Sequence, residues 1–245
     1  MGGAQYQDDG VLVLRHCPMM MAPVVVRRLA ALRARAPTFA SVSGRRGEAE
    51  RAKAGGGCAR VVSHSEDATA LLSRVLRRVA GDLRAGDALF LTGGVGAGKS
   101  VFCRNFIREV LEDEDEIVPS PTYLLQQTYH PPQPTPTLQH FDLYRFDRDP
   151  AHLEMMLQRA GFASCLADDV VLVEWAQRLP PQYAEAAGER CDIAFSRDGG
   201  NDGEGGRIIE LTGRGAHWVA VVDAVAGILP SQANGGSEDL HLDGS

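Results

Sequence analysis

The run Gly93-Gly94-Val95-Gly96-Ala97-Gly98-Lys99-Ser100 fits the phosphate-binding loop pattern G-x-x-x-x-G-K-[ST] at every fixed position. Such a loop constrains the chain on both sides of itself. It must leave a buried strand and enter a helix, because its glycines turn backbone N–H groups inward toward an anion and the helix adds the positive end of its dipole. Both flanks comply. Asp87-Ala88-Leu89-Phe90-Leu91-Thr92 is a short apolar run that reads as a buried strand. Val101 to Leu111, with Phe102, Phe106, Ile107 and Val110 apolar and Arg104 and Arg108 between them, reads as an amphipathic helix. In that arrangement the backbone of residues 93–98 cradles phosphate, Lys99 reaches the β- and γ-phosphates, and the Ser100 hydroxyl ligates Mg²⁺.

Lysine usage supports the reading. Of the 25 basic residues only Lys53 and Lys99 are lysines; the other 23 are arginine. A chain that uses arginine almost everywhere keeps a lysine at the position where a compact ammonium on a flexible stem fits a crowded cradle and a planar guanidinium does not. The competing explanation is a chance match in a chain with 27 glycines. The flanking strand and helix weigh against it.

Charge divides the chain. Residues 1–60 hold ten basic and four acidic side chains, a net of +6, while the whole chain stands at −7, which leaves −13 for residues 61–245. A body so acidic is a poor stand-alone binder of nucleic acid, whose backbone is held mainly by lysine and arginine. Any RNA partner is therefore expected to be reached through other proteins. Residues 1–60 read as a basic, targeting-like leader, rich in Arg, Ala and Ser from Met19 to Gly57, with Val24 to Arg35 able to form a short amphipathic helix. Met19-Met20-Met21 is an alternative start. A leader of this kind implies a plastid or a mitochondrion; without it the protein is expected to be cytoplasmic. No apolar run reaches the ~20 residues of a membrane helix, so no membrane partner is expected. Cys17, Cys58, Cys103, Cys165 and Cys191 are scattered without a C-x-x-C pair. That spacing argues against a disulfide framework or a zinc site, and Cys103 reads as a small core residue.

The body, residues 61–220, reads as one domain, with 221–245 an extension ending in a polar tail from Ser231 that is expected to be disordered. Asp67 to Ala80 has a helical apolar pattern, with Ser65 or Asp67 as its cap. Tyr123 to Tyr129 and Thr137 to Tyr144 read as strands around a proline-rich turn. Asp149-Pro150 starts a helix to Leu157, and Gly161 to Ala167 is a second helical piece. Val170-Val171-Leu172-Val173 is apolar throughout and reads as a central parallel strand. Cys191 to Phe195 and Arg207 to Thr212 read as paired strands around a loose loop, 197–206.

A phosphate loop needs a further carboxylate to hold the metal, usually at the end of an apolar strand. Glu174 ends the Val170 strand and fits best; Asp142 ends the Leu138 to Phe141 strand and is next. One serves the metal and the other the attacking water, and spacing does not divide these roles. Thr122, in the turn Pro119-Ser120-Pro121-Thr122, is either a sensor of the γ-phosphate or metal, as in switch loops, or a simple turn residue. Trp175 is either core or a lid. Arg145 reads as a surface arginine.

Taken together, the phosphate loop, Ser120-Pro121-Thr122-Tyr123, His140-Phe141-Asp142-Leu143-Tyr144-Arg145 and Val173-Glu174-Trp175 occur in an order that resembles the TsaE (YjeE) family over roughly residues 61–215. This is the small ATPase of bacterial and organellar tRNA threonylcarbamoyladenosine synthesis. The resemblance implies an α/β P-loop NTPase fold, a mostly parallel sheet flanked by helices with a C-terminal β-hairpin. It implies ATP and Mg²⁺, weak intrinsic hydrolysis, and assembly with TsaB-like and TsaD-like proteins, tRNA being engaged only through the complex. Carried over by position, Lys99 and Ser100 bind phosphate and metal, Thr122 is the switch threonine, and Asp142 and Glu174 serve metal and water. The nucleotide base is expected near Glu66 to Thr69 and near Gly206-Arg207, which makes Thr69 and Arg207 candidate contacts. The chain departs from the family at Gly94-Val95-Gly96, where Asp-Leu-Gly is usual. The runner-up is a small-molecule P-loop kinase, but no dense arginine cluster follows Glu174. A GTP switch is close to excluded, since guanine readers of that class use N-K-x-D and no lysine follows Lys99.

Overall fold

Alternation along the central strands assigns each side chain to one of two helical layers. In the strand Asp87–Gly93, Leu89 and Leu91 face one layer and Ala88 and Phe90 the other; in Val170–Glu174, Val170 and Leu172 oppose Val171 and Val173 in the same way. Strands buried on both faces need apolar residues at every position, which is why these segments show no polar alternation. The computed structural model describes residues 57–146, 149–197 and 206–229, and the backbone of 39–42. In chain order the elements are β1 (Phe39–Val42), β2 (Cys58–Ser63), α1 (Glu66–Ala80), β3 (Asp87–Gly93), α2 (Lys99–Leu111), β4 (Gln126–Tyr129) and β5 (Leu138–Asp142). They continue with α3 (Pro150–Arg159), α4 (Phe162–Asp168), β6 (Val170–Glu174), α5 (Pro181–Ala186), β7 (Glu189–Arg197), β8 (Arg207–Arg214) and α6 (Gly215–Ile228).

The strands form one sheet in the order β1-β2-β8-β7-β3-β6-β5-β4. β7, β3, β6 and β5 are mutually parallel; β8, β4 and β1 are antiparallel to their neighbours, so β2 runs with the centre. The mostly parallel, helix-flanked sheet with a late hairpin is therefore present, the hairpin being β7–β8. Helices α1, α2 and α6 cover one face through Leu72, Leu76, Phe102, Phe106, Trp218 and Val222. Helices α3, α4 and α5 cover the other through Leu153, Leu157, Phe162 and Tyr183.

Three expectations need correction. Tyr123 to Leu125 is a turn and not strand: the N–H groups of Leu124 and Leu125 donate to the Pro121 carbonyl, and Leu125 takes a positive φ of 70°. The apolar Tyr123-Leu124-Leu125 run misled there, and only Gln126–Tyr129 pairs with β5. At the C-terminus, α6 runs through residue 220 without a break, and Val221, Val222 and Val225 join the core. The packed body thus extends past the expected boundary. At the other end, residues 58–60, expected in the leader, are the first half of β2, paired with β8. The rest of the leader apart from the β1 backbone, the alternative start, the helix expected at 24–35, loop residues 198–205 and the tail from residue 231 lie outside the described residues.

Candidate nucleotide site

Register brings the site together at one edge of the sheet. β3 ends at Gly93, β5 at Asp142 and β6 at Glu174, with Leu91 and Asp142 both opposite Glu174 on its two sides. The carboxyl ends of parallel strands are where α/β sheets bind ligands. Two glycines are obligatory in the loop that follows. At Gly93, φ is 135° and a Cβ would lie 2.5 Å from the Phe195 carbonyl oxygen; at Gly98, φ is 110° at the very start of α2. Only glycine takes these conformations without strain.

Lys99 is 4% exposed, and its Nζ donates to the carbonyls of Gly93 (2.9 Å) and Gly94 (2.7 Å) while sitting 3.8 Å from the centre of the Trp175 ring. Burial lowers its pKa from the ordinary lysine value; the nearby carboxylates of Glu174 and Asp142 oppose that shift. An ammonium held this way is partly desolvated, and its two neutral carbonyl partners leave most of its charge uncompensated.

Glu174 and Asp142 are 1% and 3% exposed. The Ser100 hydroxyl donates to Glu174 Oε2 at 2.7 Å, and His140 Nε2 lies 3.1 Å from Oε1. Asp142 Oδ2 accepts from both Ser120 and Thr122 hydroxyls at 2.6 Å, and Oδ1 accepts from the Tyr144 N–H at 2.9 Å. Ser100, Thr122, Asp142 and Glu174 line one cavity of about 350 Å³ together with loop residues 95–99, Tyr144, Trp175, Glu66 and Arg207. Segments from Glu66 to Arg207, far apart in the chain, thus converge on one cleft.

The family model of the threonylcarbamoyl adenosine biosynthesis protein TsaE matches residues 63–204. The chain belongs to the TsaE family. Among its curated relatives, the tRNA threonylcarbamoyladenosine biosynthesis protein TsaE of Mycobacterium tuberculosis (strain H37Rv) is 34% identical over 159 residues, covering 62% of this chain and 90% of the relative. The protein of the same name from Mycobacterium leprae is 39% identical over 135 residues, 54% of this chain and 78% of the relative. That of Streptomyces coelicolor is 30% identical over 152 residues, 62% and 97%. A crystal structure of Bacillus subtilus YdiB superposes with a TM-score of 0.48 at 23% identity, over 70% of this chain and 96% of that one, too loosely to carry residue assignments across. TsaE proteins are P-loop nucleotide-binding proteins, in keeping with the loop, sheet and helix described here.

The TsaE match stops short of Arg207, yet Arg207 lines the cavity and lies 3.9 Å from Glu66. Thr69 does not line it. It is fully buried, its hydroxyl 2.9 Å from that of Ser63 and 3.3 Å from the Ser65 carbonyl, and its methyl group supports the loop beneath Gly98. The structure therefore places Thr69 behind the loop and not on the cavity wall. Gly93 and Gly94 are likewise set back from the cavity and contribute carbonyls to Lys99. Trp175 is half-buried between Lys99 and Arg178, whose guanidinium lies 4.6 Å from the ring and donates to the carbonyls of Leu143 and Tyr144. Arg145 is exposed, 5.2 Å from the Tyr123 ring. Burial pushes the Cys103 thiol far up, so Cys103 stays protonated and packs as core.

Ser120, His140 and Arg178 escaped the reading of roles from sequence. For His140 a signal existed: it is two residues before Asp142, hence on the same face of a strand. Ser120 stood in the Ser120-Pro121-Thr122-Tyr123 motif without a role, and Arg178 had no signal; their partners are 22 and 35 residues away and only the fold joins them.

Proposed function

We propose that this protein binds and slowly hydrolyses ATP with Mg²⁺, and that it is the ATPase subunit supporting threonylcarbamoyl modification of the adenosine next to the anticodon in tRNA, in assembly with TsaB-like and TsaD-like proteins. The observation that carries the reading is the convergence of Lys99 and Ser100 with two buried carboxylates on a single cleft. Membership of the TsaE family supports the pathway.

The donor set fits the metal. Ser100 Oγ, Glu174, Asp142 and Thr122 Oγ1 are all hard oxygen donors within one cleft, the ligand type that suits Mg²⁺. Bound there, Mg²⁺ neutralises charge on the phosphate oxygens. Lys99 exchanges two neutral carbonyls for phosphate oxygens, a trade that favours binding because its ammonium is already partly desolvated. Ser100 would hold the metal through the hydroxyl that now donates to Glu174, while His140 keeps Glu174 oriented. Thr122 leaves Asp142 to sense the triphosphate, and Asp142 remains tied to the Tyr144 N–H. The acidic body leaves tRNA to the partners. The basic, Arg/Ala/Ser-rich segment before residue 61 supports import into a plastid or mitochondrion. Residues 1–60 fused to a fluorescent protein are expected to direct it to one of these organelles; diffuse cytosolic signal counts against import.

The test is Mg²⁺-dependent ATP hydrolysis by the full chain, alone and with matched TsaB-like and TsaD-like proteins. Slow turnover alone and clear stimulation by the pair are expected. ATP binding with neither stimulation nor association would remove the pathway and leave the nucleotide site.

A further inference from the structure

The β7–β8 hairpin opens beside the phosphate loop, and the last residues it pairs are two arginines. Arg197 and Arg207 stand directly opposite each other in the antiparallel register. Residues so placed share one face of the sheet, and like charges there destabilise the pairing. Two observations fix which face it is. Arg207 lines the cleft. Phe195, two residues before Arg197 and therefore on its side of β7, lies against Gly93 at the root of the loop: a Cβ at Gly93 would be 2.9 Å from Phe195 Cβ.

Distances to the loop agree with the register. A Cβ on Gly96 would sit 3.6 Å from Arg197 Nη2, and a Cβ on Gly98 would sit 3.4 Å from Arg207 Cδ and 3.6 Å from its Nε. Two guanidiniums therefore flank loop positions two residues apart. Among the described residues Arg207 has one carboxylate neighbour, Glu66, at a long 3.9 Å, and that side chain is 71% exposed. Among the described residues no carboxylate lies within ion-pair distance of Arg197. In a body that is otherwise strongly acidic, the described residues thus place two facing arginines beside an anion-binding loop.

We propose that Arg197 and Arg207 act as a guanidinium pair on the polyphosphate of the bound nucleotide, which makes Arg197 a phosphate-binding residue in its own right. The inference rests on the nucleotide reading above and adds to it a cation that the loop pattern does not contain. It also gives the hairpin a role. The hairpin carries charge to the loop, and the bound anion relieves the repulsion at its open end.

The experiment uses the full chain with ATP and with inorganic tripolyphosphate, which lacks base and ribose, and compares wild type with Arg197→Ala, Arg197→Glu and Arg197→Lys. Arg197→Ala is expected to weaken both ligands about tenfold, Arg197→Glu more, and Arg197→Lys is expected to recover part of the loss. Without ligand, Arg197→Ala is expected to melt about 1–3 °C above wild type, because a like-charge pair has been removed; with ligand its gain in Tm is smaller than that of wild type. A purely structural arginine gives the opposite sign in the ligand-free melt. Unchanged affinity for both ligands overturns the proposal, and so does a loss confined to ATP, which would assign Arg197 to base or ribose. If wild type binds neither ligand, the nucleotide reading itself falls.

Discussion

Glu174 and Asp142 are neighbours across β6 and β5, equally buried and each holding two side-chain hydrogen bonds, yet their surroundings differ in kind. Glu174 is held from regular elements, by Ser100 on α2 and His140 on β5. Asp142 is held by Ser120 and Thr122, both on the proline-flanked turn before β4, a turn whose next residues, Tyr123 and Leu124, are 84% and 69% exposed. Water can replace the turn hydroxyls as they leave. Nothing can replace Glu174 at His140 without leaving a buried polar ring unpaired, a loss of about 1–3 kcal/mol. One carboxylate is therefore held from regular elements and the other from a turn, which predicts that the second is the more easily exchanged.

Lys99→Ala breaks both arms together, since its ammonium lies in the field of both carboxylates. ATP affinity is expected to fall about 100-fold or more by calorimetry, and unchanged Mg²⁺-ATP turnover would refute the assignment. Next come the two carboxylates separately. Glu174→Gln is expected to reduce kcat about 100-fold and lower Tm by several degrees, whereas Asp142→Asn, next to a turn that can rearrange, is expected to cost about tenfold in kcat with a smaller change in Tm. The reverse order would invert fixed and exchangeable. Smaller still are the turn hydroxyls. Each covers for the other on Asp142 Oδ2, so Ser120→Ala or Thr122→Ala alone is expected to cost under about 1 kcal/mol in chemical denaturation. Turnover should nevertheless fall only in Thr122→Ala; equal kinetic losses would remove the distinction between the two.

The smallest effect is one of pH. Burial lowers the Lys99 pKa below the ordinary 10.5, and incoming phosphates raise it again. Binding is therefore expected to take up protons on the alkaline side, and affinity to decline as pH rises toward 10.5. Fold stability moves the other way there, because the unfolded chain binds the proton more tightly and raising pH relieves the burial cost. Calorimetry in buffers of different ionisation enthalpy measures the uptake; none at all would mean that Lys99 is not the titrating contact.

The centre of the fold was legible because its signals are contiguous. A strand buried on both faces is an unbroken apolar run, and the loop between Gly93 and Ser100 is a local pattern. Glu174 and Asp142 could be picked as strand-end carboxylates for the same reason. What sequence did not disclose depends on register. α6 escaped notice because Trp218, Val221, Val222 and Val225 face the core along a helix that is apolar almost all round, with little periodicity to see. Ser120, His140 and Arg178 acquire partners, and Arg197 its place beside the loop, only when the chain folds. Thr69 shows the converse: the chain brings it close to the loop, but its hydroxyl is turned inward to Ser63.

The chain has two tryptophans. Trp218 is fully buried, its indole N–H donating to Asp87 at 2.9 Å, on the far end of β3 from the loop. Trp175 lies against the ammonium that phosphate would draw away. A cation on an indole face perturbs its emission, so departure of Lys99 changes the light from one tryptophan while the other stays constant. Trp175 emission is therefore expected to report cleft occupancy with Trp218 as a built-in reference, and Trp218→Phe would isolate the signal for stopped-flow measurement.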